Sequence, residues 1–409
     1  MNESFKLKKV CDICEGTDFL EVLDLGEMPP ANAFLTKEEF SKEESFPLVV
    51  LLCKNCKSLF LAHVVSPEIL FKNYHYATGA STPLVGHFYK LADEIVDKHT
   101  NSLDDLVVEI GSNDGSLLSR IRNRRRVLGV DPAGNVAVVA RSNGVPTIVG
   151  FFDSELSEEI KSKEGVAKVI VANNVMAHID NIADVFAGVR DLLSKDGQFI
   201  FEVHWVGNLL TDGGFDQIYH EHLYYHSLHS LQTLLNSLGM VVSDIRSLPI
   251  HGETMRVYAG KDGVSSQAVK DFLKREKEMG LTNESTYKEF SEKIETGKKV
   301  LMELLSKLKK EGKKIVGYGA PAKGNTLLNY FNIGPEILDY ITDTTLAKQG
   351  TYTPGSHILV VAPEILEKEI PDYILLLSWN YADNILEKEK TLRSKGVKFI
   401  IPVPVVRIV

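Results

Sequence analysis

Four cysteines constrain this sequence of 409 residues most strongly, because they form two close pairs near the N-terminus and no other cysteine occurs. Cys11 pairs with Cys14, and Cys53 pairs with Cys56, each pair enclosing two residues. A tetrahedral zinc ion takes four thiolates from two such turns, and four thiolates leave no open position for catalysis. The spacing therefore predicts a structural zinc site in a small N-terminal module. Two disulfides are the alternative, although a C-x-x-C disulfide is usually a redox site.

Length and charge limit the remaining possibilities. A chain of 409 residues is expected to form two or three domains. The net charge of −9 argues against a nucleic-acid partner, which needs a basic face. No apolar run reaches membrane-spanning length and the N-terminus lacks an apolar signal core, so we expect no membrane partner. Zinc thiolates fit a reducing compartment, which favours a cytoplasmic location. The sequence leaves open whether the chain is a monomer or a homodimer.

Apolar runs alternate with helical periods twice along the chain, which is typical of parallel sheets flanked by helices. The expected strands of the first series are 106–110, 127–131, 169–172 and 199–203, with an antiparallel edge at 240–245 and 255–259. Those of the second series are 314–318, 338–343, 373–377 and 398–401. The predicted fold class is α/β: a small zinc-binding N-terminal module followed by two doubly wound Rossmann-like domains. The predicted boundaries are a zinc module at 1–70, a first α/β domain at 71–262, a helical connector at 263–310 and a last domain at 311–409.

A first set of candidate ligand contacts lies where two expected strands end: Glu109, Gly111, Asn113, Gly115, Asp131 and Pro132. Glycines let the backbone approach a ligand there, and Asp131 is placed to accept hydrogen bonds from ribose hydroxyls. A full G-x-G-x-x-G is absent, and Glu109 would repel phosphate but suits an amino group and a sulfonium. The turn therefore predicts S-adenosylmethionine (SAM) as the cofactor. A purely structural turn with a surface Asp131 is the alternative.

Polar residues also follow the expected strand 169–172. Asn173 and Asn174 end this strand on the same crevice and are candidate cofactor contacts. His178 follows them and either reaches the cofactor or caps a helix. The crevice is thus expected to draw its polar groups from three strands.

A loop rich in tyrosine and histidine, 216–227, carries the densest run of titratable groups. Tyr219, Glu221 and His222 are residue types used in general acid–base catalysis. His220 and His222 also suggest a metal, but no third ligand is evident. A polar loop capped by Ser227 is the bland alternative. Nearby, Arg256 follows a second polar turn and is a candidate for binding an anion.

A second glycine turn lies between an expected strand and an expected helix, and its candidate contacts are Tyr318, Gly319, Lys323 and Asn325. Amides at a helix N-terminus, together with Lys323, form a natural diphosphate receptor. Asp343 ends the following strand, where a ribose contact is common. The glycine spacing departs from the dinucleotide fingerprint, so NAD is less favoured, and a structural module without a ligand is the alternative.

These motifs together resemble those of the sugar C-methyltransferase family, SAM-dependent enzymes that add a methyl branch to nucleotide-linked deoxy-ketosugars. The resemblance covers nearly the whole chain. It rests on the double C-x-x-C module and on 30–32, 109–115, 173–178, 219–222 and 317–325. The resemblance implies that the first α/β domain binds SAM and that the last domain helps to hold the sugar nucleotide. It also implies proton chemistry at Tyr219, Glu221 and His222, with Tyr76 near the same cleft.

The sequence departs from the family pattern in two places. His204 stands where a proline is common, and Glu253 and Thr254 replace the second glycine and the serine of a His-Gly-Gly-Ser turn. Both stretches are expected to face the substrate. These departures bear on the identity of the sugar rather than on the class of reaction.

The reaction expected from this resemblance is carbon methylation next to a ketone. His222 is the favoured base, with Tyr219 as the alternative, and Glu221 is expected to orient the imidazole. His178 or Tyr76 is expected to stabilise the enolate oxygen. Two other classes stay open at this point: a NAD(P)-dependent oxidoreductase of a nucleotide sugar, and a zinc-ribbon RNA methyltransferase.

Overall fold

A computed structural model of the chain describes residues 4–70, 82–248 and 254–409. Two sequence positions singled out above, Tyr76 and Glu253, lie outside these described residues. The described backbone forms sheets of two, four, six and seven strands. The two larger sheets are mainly parallel and carry helices between their strands, which confirms the predicted α/β class.

The N-terminal module is built from short antiparallel strands. Its elements are β1 (Phe5–Leu7), β2 (Phe19–Met28), β3 (Phe46–Cys53), β4 (Leu59–Leu61), β5 (His63–Val65), helix α1 (Pro67–Leu70) and a 3₁₀ turn at Lys37–Lys42. Strands β2, β3 and β4 pair in chain order, and β1 pairs with β5. Buried and half-buried residues alternate along most of β3, as expected for a strand with one face on a core.

The first large sheet holds seven strands in the order β12-β13-β10-β9-β6-β7-β8. They are β6 (Leu106–Ile110), β7 (Arg126–Asp131), β8 (Thr147–Val149), β9 (Ala167–Asn173), β10 (Leu193–His204), β12 (Val241–Leu248) and β13 (Thr254–Gly260). Strands β6 to β10 are mutually parallel, whereas β13 is antiparallel to both of its neighbours. The strand order reverses between β6 and β9, which is where open α/β sheets bind ligands.

Helices connect these strands and cover the sheet. They are α2 (Thr82–Glu94), α3 (Ser116–Ile121), α4 (Gly134–Ser142), α5 (Ser154–Glu164), α6 (Ile182–Leu192), α7 (Val206–Thr211) and α8 (Leu228–Ser237), with a π-helical turn at Ile95–His99 and a 3₁₀ turn at Phe215–Gln217. All five residues of β6 are buried, because its two faces are both covered.

A two-residue strand from this domain, β11 (Tyr224–Tyr225), joins the sheet of the N-terminal module. It pairs antiparallel with β4, so that sheet has the order β11-β4-β3-β2. Because β11 lies within the histidine-rich loop 216–227, this loop is anchored on the N-terminal module.

Two helices lead to the last domain and lie within 263–310. Helix α9 spans Gln267–Glu278 and α10 spans Glu284–Lys310. The buried residues of α10 recur every three, four or seven positions and form one apolar face: Tyr287, Phe290, Ile294, Leu301, Leu305 and Leu308.

The last domain contains a six-stranded sheet in the order β16-β15-β14-β17-β18-β19. Its strands are β14 (Ile315–Tyr318), β15 (Ile341–Thr342), β16 (Val360–Val361), β17 (Tyr373–Leu376), β18 (Lys398–Ile401) and β19 (Arg407–Ile408); its helices are α11 (Ala322–Phe331), α12 (Ile365–Lys368), α13 (Ala382–Lys388) and α14 (Lys390–Ser394), with 3₁₀ turns at Leu346–Lys348 and Trp379–Tyr381. Only β19 is antiparallel among the described strands of this sheet. Its order reverses between β14 and β17, next to the second glycine turn.

Candidate active site and zinc site

The four cysteines converge on one point. Their sulfur atoms lie within 4.8 Å of one another, and Sγ of Cys11 lies 3.5 Å from Sγ of Cys56, as does Sγ of Cys14 from Sγ of Cys53. Sulfurs 2.3 Å from a tetrahedral zinc ion are about 3.8 Å apart, so the set fits zinc. All four are free thiols rather than disulfides, so the disulfide alternative is wrong.

The two cysteine turns also share one backbone geometry. The amide of Glu15 donates to the Cys11 carbonyl over 2.8 Å, and the amide of Lys57 donates to the Cys53 carbonyl over 2.9 Å. Glu15 and Lys57 have φ angles of 58° and 60°, so each turn closes through a left-handed residue. Two equivalent turns present four thiolates to one centre, which is the arrangement of a structural zinc site.

A buried polar cluster ties the first cysteine turn to the histidine-rich loop. The Tyr224 hydroxyl donates to the carboxylate of Asp12, which lies between Cys11 and Cys14. The Lys8 ammonium contacts the same carboxylate and donates to the Tyr224 oxygen over 2.6 Å. The Asp180 carbonyl accepts from Lys8 over 2.9 Å and lies 2.9 Å from the Tyr224 oxygen. The zinc module thus reaches directly into the part of the chain that carries the titratable groups.

The first glycine turn has a backbone that admits a ligand. Gly111, Asn113 and Gly115 have φ angles of 69°, 49° and 74°. A Cβ added to Gly111 would come within 3.0 Å of the Val175 side chain, so the close approach of the two loops requires glycine there. The turn therefore lies against the 173–178 loop.

Asp131 holds this turn in place. One carboxylate oxygen accepts from the Asn113 amide over 2.8 Å, and the other accepts from the Ala133 amide over 2.9 Å. Burial raises the pKa of Asp131 despite these bonds. Pro132 lies beside it and is exposed. Asp131, the predicted ribose contact, thus also fixes the conformation of the turn.

Several buried polar atoms around this turn lack a hydrogen-bond partner. They are Oε2 of Glu109, Oγ of Ser112, Nδ2 and Oδ1 of Asn173, and Oδ1 of Asn174. Unpaired buried polar atoms are costly and need an explanation such as an absent ligand. Burial, reinforced by Asp131 and Asp114, raises the pKa of Glu109 well above its usual value. A cationic ligand with hydroxyl and amino groups would satisfy this donor and acceptor set, and SAM is such a ligand.

Tyr219 and His222 form a hydrogen-bonded pair in the histidine-rich loop. Nδ1 of His222 lies 2.9 Å from the carbonyl oxygen of Gln217, which can only accept, so Nδ1 carries the ring proton. Nε2 then presents its lone pair to the Tyr219 hydroxyl at 2.9 Å. Burial, with His178 and His204 nearby, lowers the pKa of His222 well below its usual value. The imidazole is therefore neutral and able to accept a proton.

His178 packs beside this pair. The two imidazole rings of His178 and His222 have centroids 5.0 Å apart, and Nδ1 of His178 lies 2.6 Å from the Glu221 carbonyl. Burial lowers the pKa of His178, although the carbonyls of Glu221 and Asn174 oppose the shift. The single N–H of a neutral His178 is therefore used within the protein.

Glu221 does not contact the His222 ring nitrogens, because Gln217 and Tyr219 occupy both. The expectation that Glu221 orients the imidazole is wrong for this reason. Its carboxylate instead accepts from the Asn32 amide over 2.7 Å, and burial raises the pKa of Glu221. Asn32 belongs to the N-terminal module, which therefore contributes a polar group to this site.

His220 points away from His222 and into the N-terminal module. Its Nε2 lies 3.2 Å from the Phe46 carbonyl, and burial lowers the pKa of His220 to about 4. Among the described residues, the four cysteines form the one cluster that could hold a metal ion. A metal at His220 and His222 is therefore not supported.

The second glycine turn is held in the same way as the first. One oxygen of Asp343 accepts from the Ala320 amide and the other from the Thr345 amide, both at 2.7 Å. Gly319 has a φ of 78°, and a Cβ there would come within 2.3 Å of the Ser378 hydroxyl. The Tyr318 hydroxyl is also engaged, because it donates to Glu389 over 2.7 Å.

Two predicted substrate contacts in the last domain face inward. Asn325 is buried, and its side-chain amide donates to the Ala31 carbonyl over 2.7 Å. The Lys323 ammonium lies 3.6 Å from the Asp216 carboxylate and 3.8 Å from the centre of the Trp379 ring. Both residues join the last domain to other parts of the chain in this structure.

Arg256 also faces inward, in β13. Its guanidinium donates to the Glu202 carboxylate at 2.6 and 2.8 Å, and its side chain is 6% exposed. His87 lies 2.8 Å from the same carboxylate. The charge of Arg256 is thus neutralised within the protein rather than presented to an anion.

The site is continuous from the first glycine turn to the second. The first turn packs on Val175, and His178 of that loop packs on His222. At the other side, the Ile218 carbonyl accepts from Thr326 of helix α11 over 3.0 Å. The loop with Tyr219 and His222 therefore lies between the two turns.

Sequence reasoning missed the residues that hold this loop. Gln217 acts through its backbone carbonyl, which leaves no signature in the sequence. Asn32 and Asp216 lie in stretches that the sequence singles out, but their contacts, like those of Thr326 and Trp379, are with residues far away in the chain, and no local pattern indicates them.

Three family models match the chain. They are described as "Putative zinc binding domain" over residues 11–71, "Methyltransferase domain" over 87–244 and "C-methyltransferase C-terminal domain" over 249–404. Along the chain, these three models cover in turn the cysteine cluster, the first glycine turn and the last domain. A zinc-binding methyltransferase is thus the class of protein that the fold and the site define.

One relative is similar over nearly the full length. The C-methyltransferase NovU of Streptomyces niveus is 39% identical over 404 residues, which cover 98% of this chain and 96% of that protein. This chain belongs to the C-methyltransferase family. It is a SAM-dependent methyltransferase with an N-terminal zinc-binding module.

Solved structures show weaker likeness. A SAM-dependent methyltransferase of Clostridium acetobutylicum is 13% identical, with a TM-score of 0.35, over 48% of this chain and 96% of that one. The magnesium protoporphyrin IX methyltransferase of Synechocystis is 15% identical, with a TM-score of 0.33, over 44% and 82%. At these values the two likenesses say nothing about substrate. Within the described residues, none of the helices has the length and apolar character needed to cross a membrane.

Proposed function

We propose that this protein transfers the methyl group of SAM to a carbon next to the ketone of a nucleotide-linked deoxy-ketosugar. The observation that carries the proposal is the neutral Tyr219–His222 pair, located between the two glycine turns. Carbon methylation next to a ketone needs a group that removes a proton, and this pair can do so. Family membership favours methyl transfer over the oxidoreductase alternative, and the acidic chain disfavours an RNA substrate.

The proposed division of labour follows the predicted boundaries. Residues 1–70 hold zinc, 71–262 bind SAM, 263–310 connect, and 311–409 hold the sugar nucleotide. Cys11, Cys14, Cys53 and Cys56 would hold the zinc ion, which supplies structural cross-linking. Residues around the first turn would hold SAM: Glu109, Gly111, Asn113, Gly115, Asp131, Pro132, Asn173 and Asn174. When bound, SAM supplies an electrophilic methyl group on a sulfonium.

The proton step is assigned to Tyr219 and His222. The lone pair on Nε2 of His222 is already engaged by the Tyr219 O–H. We therefore propose a relay, in which the Tyr219 oxygen takes the proton from the substrate carbon as its own proton moves to Nε2. The C–H electron pair is left as an enolate, and the imidazole becomes a cation.

The enolate oxygen needs a hydrogen-bond donor. His178 is a poor choice, because its N–H already points at the Glu221 carbonyl. Tyr76 lies outside the described residues. Burial raises the pKa of the Glu221 carboxyl, and Asn32 donates to only one of its oxygens, so a protonated Glu221 can donate from the other. We assign Glu221 this role.

The second turn is assigned to the nucleotide. Amides at the start of helix α11 can bind a diphosphate beside Tyr318 and Gly319, whereas the Gly319 amide itself donates to the Thr342 carbonyl over 2.8 Å. Lys348 lies beside this turn, with its ammonium 2.7 Å from the Ala320 carbonyl. It offers a positive charge there that the sequence did not single out.

Incubation with SAM and a panel of dTDP-, GDP- and CDP-linked ketosugars tests this proposal. Mass spectrometry should show one sugar gaining the mass of a methylene group. In deuterated water, with S-adenosylhomocysteine in place of SAM, the same sugar should incorporate deuterium next to its ketone. If every sugar in the panel stays unmethylated while a non-sugar ketone is methylated, the substrate class is wrong.

A further inference from the structure

Three side chains of the last domain fix a short stretch of the histidine-rich loop, Asp216 to Ile218. The Trp379 indole N–H donates to the Asp216 carboxylate over 2.6 Å. The Thr326 hydroxyl donates to the Ile218 carbonyl over 3.0 Å. The Lys323 ammonium lies 3.6 Å from the same oxygen of Asp216 that Trp379 contacts. The stretch is therefore held on both sides of Gln217.

Burial of the Lys323–Asp216 pair costs free energy, because both charged groups lose water and are incompletely hydrogen-bonded. The side chain of Asp216 is 0% exposed and that of Lys323 is 14% exposed. Oδ1 of Asp216 and Nζ of Lys323 lack hydrogen-bond partners. Buried charges that are incompletely bonded stabilise a fold poorly, and a specific geometry is one reason for keeping them. The Trp379 ring lies under the ammonium at 3.8 Å and supplies part of the missing stabilisation.

Gln217 is the residue that this clamp holds. Its carbonyl oxygen accepts from Nδ1 of His222 over 2.9 Å and thereby assigns the ring proton to that nitrogen. If the carbonyl turned away, the proton could move to Nε2, and the lone pair that faces Tyr219 would be lost. The clamp therefore controls which nitrogen of His222 can accept a proton.

We propose that Lys323, Trp379 and Thr326 are positioning residues for the Tyr219–His222 pair, acting through the backbone of Asp216–Ile218. This inference rests on the proposed function for its catalytic meaning. It gives Lys323 a role different from the diphosphate contact that its place in the glycine turn predicts. It also links the nucleotide-side domain to the proton acceptor through three contacts.

Steady-state kinetics separate the two roles of Lys323. We expect Trp379→Phe, Thr326→Val and Lys323→Met to lower kcat by up to about 10²-fold, because a small displacement of a catalytic group has that effect. The KM for the sugar nucleotide should stay within about twofold of the wild-type value, and Thr326→Ser should restore kcat because it keeps the hydroxyl. A raised KM with an unchanged kcat in Lys323→Met would instead mean diphosphate binding and would overturn the inference.

Glu43→Gln is the matched control. Glu43 joins the N-terminal module to the last domain through the Gly355 amide and His357, both at 2.7 Å, and does not touch the loop. This variant should keep the wild-type kcat. An equal loss of kcat in the control would mean that any loosening of the last domain matters, and the specific role of the clamp would be refuted.

Nitrogen-15 NMR of labelled histidine gives a readout that needs no substrate. The His222 signals, assigned by their loss in His222→Gln, should report the Nδ1–H tautomer in the wild type, Thr326→Ser and Glu43→Gln. In Trp379→Phe and Thr326→Val they should report a mixture of tautomers. An unchanged tautomer in both variants would overturn the inference. If the tautomer changes but the wild-type protein methylates no ketosugar, the proposed function fails while the positioning role stands.

Discussion

The Tyr219 hydroxyl donates to Nε2 of His222 over 2.9 Å, so the lone pair of the imidazole faces a phenol. A base whose lone pair is already engaged cannot take a substrate proton directly unless the phenol moves away. Two chemical routes are therefore compatible with this contact. One is a relay through Tyr219, and the other is direct abstraction by His222 after the phenol has moved.

Removing either partner should separate these routes. In the relay, Tyr219→Phe and His222→Gln both lower the rate of proton abstraction by about 10²–10⁴-fold. The measurement is deuterium incorporation into the ketosugar in deuterated water, with S-adenosylhomocysteine bound. Tyr381→Phe removes a phenol from a half-exposed side chain and should have no effect. A Tyr219→Phe variant as fast as the wild type would make His222 the direct base.

SAM affinity should increase with pH because of Glu109. Burial and the neighbouring Asp131 raise the pKa of Glu109, so in the free protein this carboxyl keeps its proton at a pH where an exposed glutamate has lost it. A cationic ligand favours the ionised form, so binding should release a proton and tighten as the pH rises toward that raised pKa.

Calorimetry in buffers of different ionisation enthalpy measures this proton release. Glu109→Gln should bind SAM more weakly and abolish the proton release. Asp105→Asn, which changes a half-buried carboxylate bonded to the Asn101 and Ser102 amides, should retain the release. Proton uptake in the wild type, or a release that survives in Glu109→Gln, would refute the assignment of Glu109.

The sequence predicts the buried parallel strands well because their signal is local. The run 106–110 matches β6, and the run 398–401 matches β18, since each is mostly apolar and lies between polar segments. Strand β11 could not be predicted. It has two residues, and its partner, β4, comes from a distant part of the chain.

The same distinction between local and long-range signals applies to the candidate site. Residue types and spacing single out Tyr219, His222 and the four cysteines, because their chemistry depends on side chains. The Gln217 carbonyl and the inward turn of Lys323 depend on tertiary packing, which no pattern in the sequence reports. Asp131 is the last residue of β7 and Asp343 directly follows β15, and each bonds to the backbone of its turn, which the strand pattern does not indicate.

Asp343 should therefore contribute to stability as well as to any ligand contact. Asp343→Ala leaves the Ala320 and Thr345 amides without their carboxylate partner. Unfolding in urea should show a loss of about 1–3 kcal/mol, the range for an unpaired polar group. Asp343→Asn keeps one acceptor oxygen and should lose less. Equal stability of Asp343→Ala and the wild type would mean that water replaces both bonds.

Removal of zinc should impair proton abstraction before it abolishes SAM binding, because the first cysteine turn contacts the histidine-rich loop, to which we assign the proton step. Asp12 lies between two of the four clustered cysteines and accepts from Tyr224, two residues after His222, while the proposed SAM contacts lie on the central sheet. Titration with a chelator should release one zinc ion per chain and stop deuterium incorporation into the ketosugar, with SAM affinity changed less than about threefold.

Tyr224→Phe should reproduce part of this loss with zinc retained. Asp18→Asn, which breaks an exposed pair with Lys54, is the control and should behave as the wild type. Full deuterium incorporation by zinc-free protein would show that the module does not support the loop.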